Sequence, residues 1–164
     1  MSLQTIEINS AKITFDRERT LKHRTTLNTP CSCQYCGNYY KNIEKNTELV
    51  EFLSDFGIDY NCDEEIFFWD LGNSSDSLIH YEGYYGVLGK IDSENFFIER
   101  YGVKITFSEG AAVPCDITDE YFWICVEGDF PYILEEKREL PLNFTQKIAN
   151  SNFAMKIKNI FKKN

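Results

Sequence analysis

From Ile66 onward the chain is a succession of short apolar segments rich in aromatic and β-branched residues, each closed by glycine, proline or a polar turn. That punctuation constrains the fold more than any other feature, because segments of this length bury enough surface only when they pair side by side. Ile66-Phe67-Phe68-Trp69 is apolar at every position, the pattern of a strand covered on both faces, and is expected at the centre of a sheet. Beyond the turn Gly72-Asn73-Ser74-Ser75-Asp76, strands are expected over 78–88, 96–101, 103–107 and 121–126. The first of these contains Tyr81-Glu82-Gly83-Tyr84-Tyr85-Gly86, whose glycines mark bulges or a close approach of another chain segment. Pro131 limits Tyr132-Ile133-Leu134 to a sheet edge or a short extended piece.

The N-terminal part changes periodicity twice. Ile6 and Ile8, then Ala11, Ile13 and Phe15, alternate with polar residues and predict two short strands or one bent strand with one buried face. Residues 16–29 are polar and basic (Arg17, Arg19, Lys22, His23, Arg24) with only Leu21 and Leu27 apolar, and read as a surface connection. From Asn38 to Phe56 the residues Tyr39, Tyr40, Ile43, Leu49, Val50, Phe52, Leu53 and Phe56 recur at helical spacing, and Gly57 is placed to cap the end at Phe56. A polar interruption over 44–48 allows Asn46 or Thr47 to start a second helix. After Pro141, Phe153, Ile157, Ile160 and Phe161 share one helical face among lysines, predicting a basic C-terminal helix over 143–164 packed on the rest. Strands grouped together with helices outside the group predict an α+β fold: a mostly antiparallel sheet of about five to seven strands, a helical segment near the N-terminus and a C-terminal helix. A chain of 164 residues, 43% of them hydrophobic, suits one domain spanning 1–164.

Charge narrows the range of partners. The formal net charge of −9 is unevenly spread: residues 46–142 hold five Lys/Arg against twenty-two Asp/Glu, whereas residues 143–164 hold five lysines and no acid. An acidic body repels phosphate backbones, which argues against nucleic acid on the main surface and favours a basic protein partner. The sequence holds no apolar run of bilayer-spanning length and its first residues do not resemble a leader, so a cytoplasmic protein without membrane association is expected. In that compartment the six cysteines are expected to be thiols rather than a disulfide framework.

Half of those cysteines fall in Cys31-Ser32-Cys33-Gln34-Tyr35-Cys36, directly before the helical stretch. A C-x-x-C pair lets two thiolates reach one tetrahedral ion, so Cys31, Cys33 and Cys36 are the candidate ligands of a metal, zinc first. A closed site needs a fourth ligand, for which His23 is the first candidate and Cys62 the alternative. The same residues admit two other readings: thiols that only pack, or a redox pair of Cys33 and Cys36 whose thiolate is favoured by a helix N-terminus. A thioredoxin-like pair should follow a core strand, and here a polar connection precedes it. Cys115 reads as a loop thiol, Cys125 as a core residue and His80 as a structural histidine within a strand. Two histidines support no Ser-His-Asp constellation, and the acidic clusters at 63–65, 119–120 and 135–136 read as solvated faces. Tyr81, Tyr84, Tyr85, Trp69 and Trp123 read as an aromatic core before a pocket.

The motif C-x-C-x-x-C-x-N-Y at Cys31, Cys33, Cys36, Asn38 and Tyr39 is followed by Gly57-Ile58-Asp59, then Tyr81, Gly83, Tyr85 and Gly89, then Pro131-Tyr132-Ile133-Leu134-Glu135-Glu136. Together these resemble a family of small uncharacterised bacterial proteins. The resemblance implies a bacterial cytosolic protein and carries over no catalytic residue. The reading that follows is a non-enzymatic binding module with a Cys-cluster site and an acidic face for a basic protein, with a thiol oxidoreductase or redox sensor using Cys33 and Cys36 as the alternative.

Overall fold

The computed structural model describes residues 3–27, 30–70, 78–111, 113 and 116–138. The expected C-terminal helix over 143–164, the turn at 72–76 and Cys115 lie outside the described residues. The chain opens as a hairpin of β1 (Leu3–Ile8) and β2 (Ala11–Asp16), turned by Asn9 and Ser10 with φ of 48° and 67°. Two left-handed residues give the tight turn whose twist matches the flanking strands. Ala11, Ile13 and Phe15 are buried, as the alternation requires.

The long strand β4 (Ile79–Ile91) is the axis of the sheet. One edge pairs with β7 (Tyr121–Phe130), from Ile79 opposite Phe130 to Leu88 opposite Tyr121. The other edge is shared, with β3 (Glu65–Asp70) along residues 79–84 and β2 along residues 89–91. Outside β7 lie β6 (Val103–Ser108) and then β5 (Phe96–Arg100), giving the order β1-β2-β4-β7-β6-β5 with β3 beside β4. All pairings among the described residues are antiparallel, and with the three helices found there they give the α+β fold that the grouping of strands predicts.

Residues 16–29 depart from their expected role as a connection, because they contain helix α1 (Arg17–Leu27). No apolar stripe marks it; polar contacts fasten it instead. Asp16 Oδ1 accepts the Arg19 N–H at 3.0 Å, capping the first turn. Thr20, 1% exposed, donates its hydroxyl to Asp16 O at 2.9 Å and accepts the Leu88 N–H at 3.1 Å, which seats the helix against β4. Arg17 Nε donates to Ser54 O at 2.9 Å on the next helical layer.

The amphipathic stretch resolves into two helices, α2 (Gln34–Glu44) and α3 (Thr47–Asp55). Asn46 divides them, its Oδ1 accepting from Leu49 N at 3.3 Å and its Nδ2 donating to Tyr101 O at 2.7 Å. Gly57, with φ of 79°, follows the cap residue Phe56 as expected. Tyr39, Ile43, Leu49, Leu53 and Phe56 are fully buried in one core with Phe15, Tyr81, Tyr85, Phe107 and Phe122. Aromatic residues supply much of that buried area, so the Tyr81 and Tyr85 positions are core, as read from the sequence.

β3 is not central. Among the described residues it pairs with β4 only, and its apolar run divides between two faces. Ile66 is buried and Phe68 stacks on Tyr35 of α2 with ring centroids 4.3 Å apart, whereas Phe67 and Trp69 are 40% and 50% exposed. Their rings lie against Tyr84 and His80 on the outer face of the sheet. Continuous apolarity here reflects one buried and one partly open face, which period-2 reasoning cannot separate from double burial. Tyr132-Ile133-Leu134 forms no strand; it is held across α2, with Ile133 N donating to Asn38 Oδ1 at 2.7 Å. No helix among the described residues is long and apolar enough to cross a membrane.

Candidate metal centre

Cys33 ends the extended segment after Pro30 and serves as the N-cap of α2, with φ −71° and ψ 153°. Its Sγ accepts the Cys36 N–H at 3.4 Å, the role that a serine or aspartate oxygen usually fills. Cys36 occupies the first helical turn and Cys31 precedes the cap, so a single change from extended to helical backbone gathers all three side chains. Their Sγ atoms lie within 4.8 Å of one another. Thiolates about 2.3 Å from a tetrahedral zinc stand about 3.8 Å apart, so closing on an ion requires side-chain movement of only about 1 Å. Cys31 and Cys33 are exposed and Cys36 is buried, giving the cluster one open side.

The protonation of the trio is asymmetric. Partial burial acts to raise the Cys33 pKa, but hydrogen bonds from the Cys36 N–H, the Cys36 and Cys31 thiols and the Tyr35 N–H together outweigh it and hold this thiol below its ordinary value. Cys36 moves the opposite way, raised first by burial and then by its interactions with Cys33 and Cys31. One thiolate is therefore favoured and a second opposed by its neighbours. A divalent cation removes that opposition, which is the usual coupling of metal binding to proton release from thiols.

Beside the thiols is a cavity of about 190 Å³ lined by Cys31, Cys36, Tyr40, Asp63 and Glu64 among others. Tyr40 is one helical turn beyond Cys36 and so shares its face. Its hydroxyl donates to Asp63 Oδ1 at 2.7 Å. Burial, followed by the bond to Asp63, pushes the Tyr40 pKa up and keeps the hydroxyl protonated. Glu64 Oε2 accepts the Gly86 N–H at 2.9 Å, tying the same segment to β4.

Of the residues singled out from the sequence, Cys31, Cys33 and Cys36 come together as an arrangement able to hold a metal ion. His23, Cys62 and Asp63 all stand outside the group gathered within 4.8 Å. His23 lies on α1 and lines a different cavity with Arg19, Lys22, Asp116 and Asp119. Cys62 is buried after α3, its N–H donating to Asp59 O at 2.9 Å. Tyr40 and Asp63 were not singled out as site residues by sequence reasoning. The spacing of Tyr40 from Cys36 was a usable signal, but nothing in the run Asp63-Glu64-Glu65 marks which acid faces the thiols.

The remaining candidates occupy structural positions. His80 Nδ1 is 2.6 Å from Asp129 Oδ1 on the outer face of the sheet. Cys125 is buried in β7, and burial pushes its thiol up to about 12, which suits an inert core residue. Carboxylates on that face are already engaged: Glu127 by Lys104 Nζ at 2.7 Å and Glu82 by the Tyr84 hydroxyl at 2.7 Å. No protein-family model, curated protein or solved structure matches this chain.

Proposed function

We propose that this protein is a non-enzymatic binding module in which Cys31, Cys33 and Cys36 hold a zinc ion that fastens the segment before α2 to the helix. The observation that carries this reading is the convergence of three Sγ atoms within 4.8 Å at one helix start. Zinc suits the site because thiolates are its preferred ligands and a structural site of this kind contributes folding energy directly. Elemental analysis of protein purified without a metal-affinity tag should find one zinc per chain, lost on changing Cys33 or Cys36 to serine. Protein that carries no stoichiometric zinc when purified in this way, with Cys31 and Cys33 open to alkylation, would overturn it. The excess of acid over residues 46–142 supports a basic protein as the partner of this module. Capture of that partner should weaken as salt is raised, and capture indifferent to ionic strength would count against it.

The lowered pKa of Cys33 favours one second reading, a thiol switch. Cys33 thiolate would attack a disulfide-bearing acceptor, and Cys36 would then displace it. A Cys33–Cys36 bond results, two electrons pass to the acceptor, and the acceptor leaves as two thiols. Equilibration in glutathione buffers would show a reversible loss of two hydrogens in mass, blocked by prior loading with zinc. Protein that stays reduced across the buffer series would remove this reading.

A further inference from the structure

Three thiolates leave a tetrahedral zinc one ligand short, and Asp63 lines the same cavity as Cys31 and Cys36. We propose that Asp63 is that ligand and that Tyr40 is the residue that positions it; the inference rests on the metal-centre reading above. The argument begins with the cavity, whose wall contains Cys31, Cys36 and Asp63 together. Two of the three thiol residues therefore face the same small space as Asp63, Glu64 and Glu65. The second observation is the Tyr40 hydroxyl, which gives its proton to Asp63 Oδ1 at 2.7 Å. That side chain rises from the same helical face as Cys36 and so ties the carboxylate to the helix that carries this cysteine.

Competing donors are placed less favourably. Glu64 and Glu65 line the same cavity, but Glu64 Oε2 is drawn to β4 by the Gly86 N–H at 2.9 Å and Glu65 is exposed at the start of β3, whereas Asp63 is bonded to a side chain of the helix that carries Cys36. His23 lines the cavity against Asp116 and Asp119 rather than this one. Monodentate ligation needs one carboxylate oxygen and leaves the other on the Tyr40 hydroxyl, the arrangement by which ligand carboxylates are commonly oriented. Three thiolates and one carboxylate around a dication carry the same formal charge as the familiar four-cysteine set, so the added anion is no obstacle. With Asp63 bound, the metal would join the segment before α2 to the segment leading into β3.

Cobalt(II) titrated into the full-length, metal-free protein tests this directly. Native protein should give sulfur-to-cobalt charge-transfer bands and a tetrahedral spectrum that azide does not alter. Asp63→Ala should keep the charge-transfer bands, bind cobalt about 10- to 100-fold more weakly, and acquire a spectral response to azide, because an open position takes an exogenous ligand. Asp63→Asn, nearly identical in shape, should weaken binding without loss of fold. Tyr40→Phe should weaken binding less while retaining azide resistance. An azide response in the native protein, or unchanged affinity and no azide response in folded Asp63→Ala and Asp63→Asn, would overturn the assignment of Asp63 while leaving the three-cysteine centre standing. Absence of charge-transfer bands in the native protein would overturn both.

Discussion

The hydroxyl of Tyr39 stands over Gly83: a Cβ built at Gly83 would lie 2.2 Å from Tyr39 Oη and 2.6 Å from its Cζ. Tyr39 is fully buried, and its hydroxyl is 3.0 Å from that of Tyr85 on the same strand as the glycine. The Tyr85 hydroxyl in turn donates to Tyr60 O at 3.1 Å, so the ring of α2 that rests on β4 also reaches the loop after α3. Helix α2, and with it the cysteine cluster at its start, is seated on the sheet by this contact.

Gly83→Ala should therefore destabilise by overpacking, by about 1–3 kcal/mol, since a ring enclosed on all sides cannot swing clear. Denaturant unfolding measures the loss. Tyr39→Phe in the same background should recover part of it by removing the nearer atom. Equal stability of Gly83→Ala and the native protein would show that α2 can lift from the sheet at little cost.

Asn38 closes the other side of that helix. Fully buried, it donates through Nδ2 to Pro131 O at 3.1 Å and to the Tyr81 hydroxyl at 3.2 Å, and its Oδ1 accepts Ile133 N at 2.7 Å. Asn38→Ala strands at least the Ile133 N–H, for a cost of about 1–3 kcal/mol. Amide exchange at Ile133 should accelerate selectively, with β4 and β7 amides little changed. Uniform acceleration throughout would instead mean that Asn38 supports only global stability.

At helix α1 the cap supplied by Asp16 should contribute about 1 kcal/mol. Asp16→Ala should lose it, and Asp16→Ser, which restores an oxygen at the capping position, should regain most of it. Thermal or denaturant unfolding of the pair distinguishes capping from a general effect of the buried carboxylate.

The thiols predict a dependence on pH that can be read in metal-free protein. Iodoacetamide should modify Cys33 at pH values below the ordinary thiol range, with Cys36 protected, because the first is lowered and the second raised. In stability the signs are opposite. The contribution from Cys33 is present above the ordinary thiol pKa and lost as pH falls through its lowered value. Contributions from Cys36 and Cys125 are present below the ordinary pKa and lost as pH rises above it, in the case of Cys125 toward about 12. Stability should therefore decline through the alkaline range, and Cys125→Ala should reduce the slope while lowering the plateau.

Local chemistry was the legible part of this chain. Alternation at Ala11, Ile13 and Phe15, the break at Asn46, the stop at Gly57 and the convergence of Cys31, Cys33 and Cys36 depend on neighbours a few residues apart, so residue spacing determines them. Helix α1 escaped because its support is polar and comes partly from Leu88, far along the chain. The position of β3 escaped because Phe67 and Trp69 are as apolar as Ile66, and burial on one face or two is decided by what the rest of the fold lays against them.

By itself, then, the sequence determined an α+β chain with antiparallel strands and a three-thiol cluster at a helix start, because each follows from periodicity, turn residues and covalent proximity. Tertiary structure alone decided that β2 and β3 share one edge of β4, and that Asp63 rather than His23 borders the cavity beside Cys31 and Cys36. Those are relations between segments whose separation along the chain carries no distance information; the strand ladders on β4 and the packing of Tyr39 of α2 over Gly83 belong to the tertiary structure.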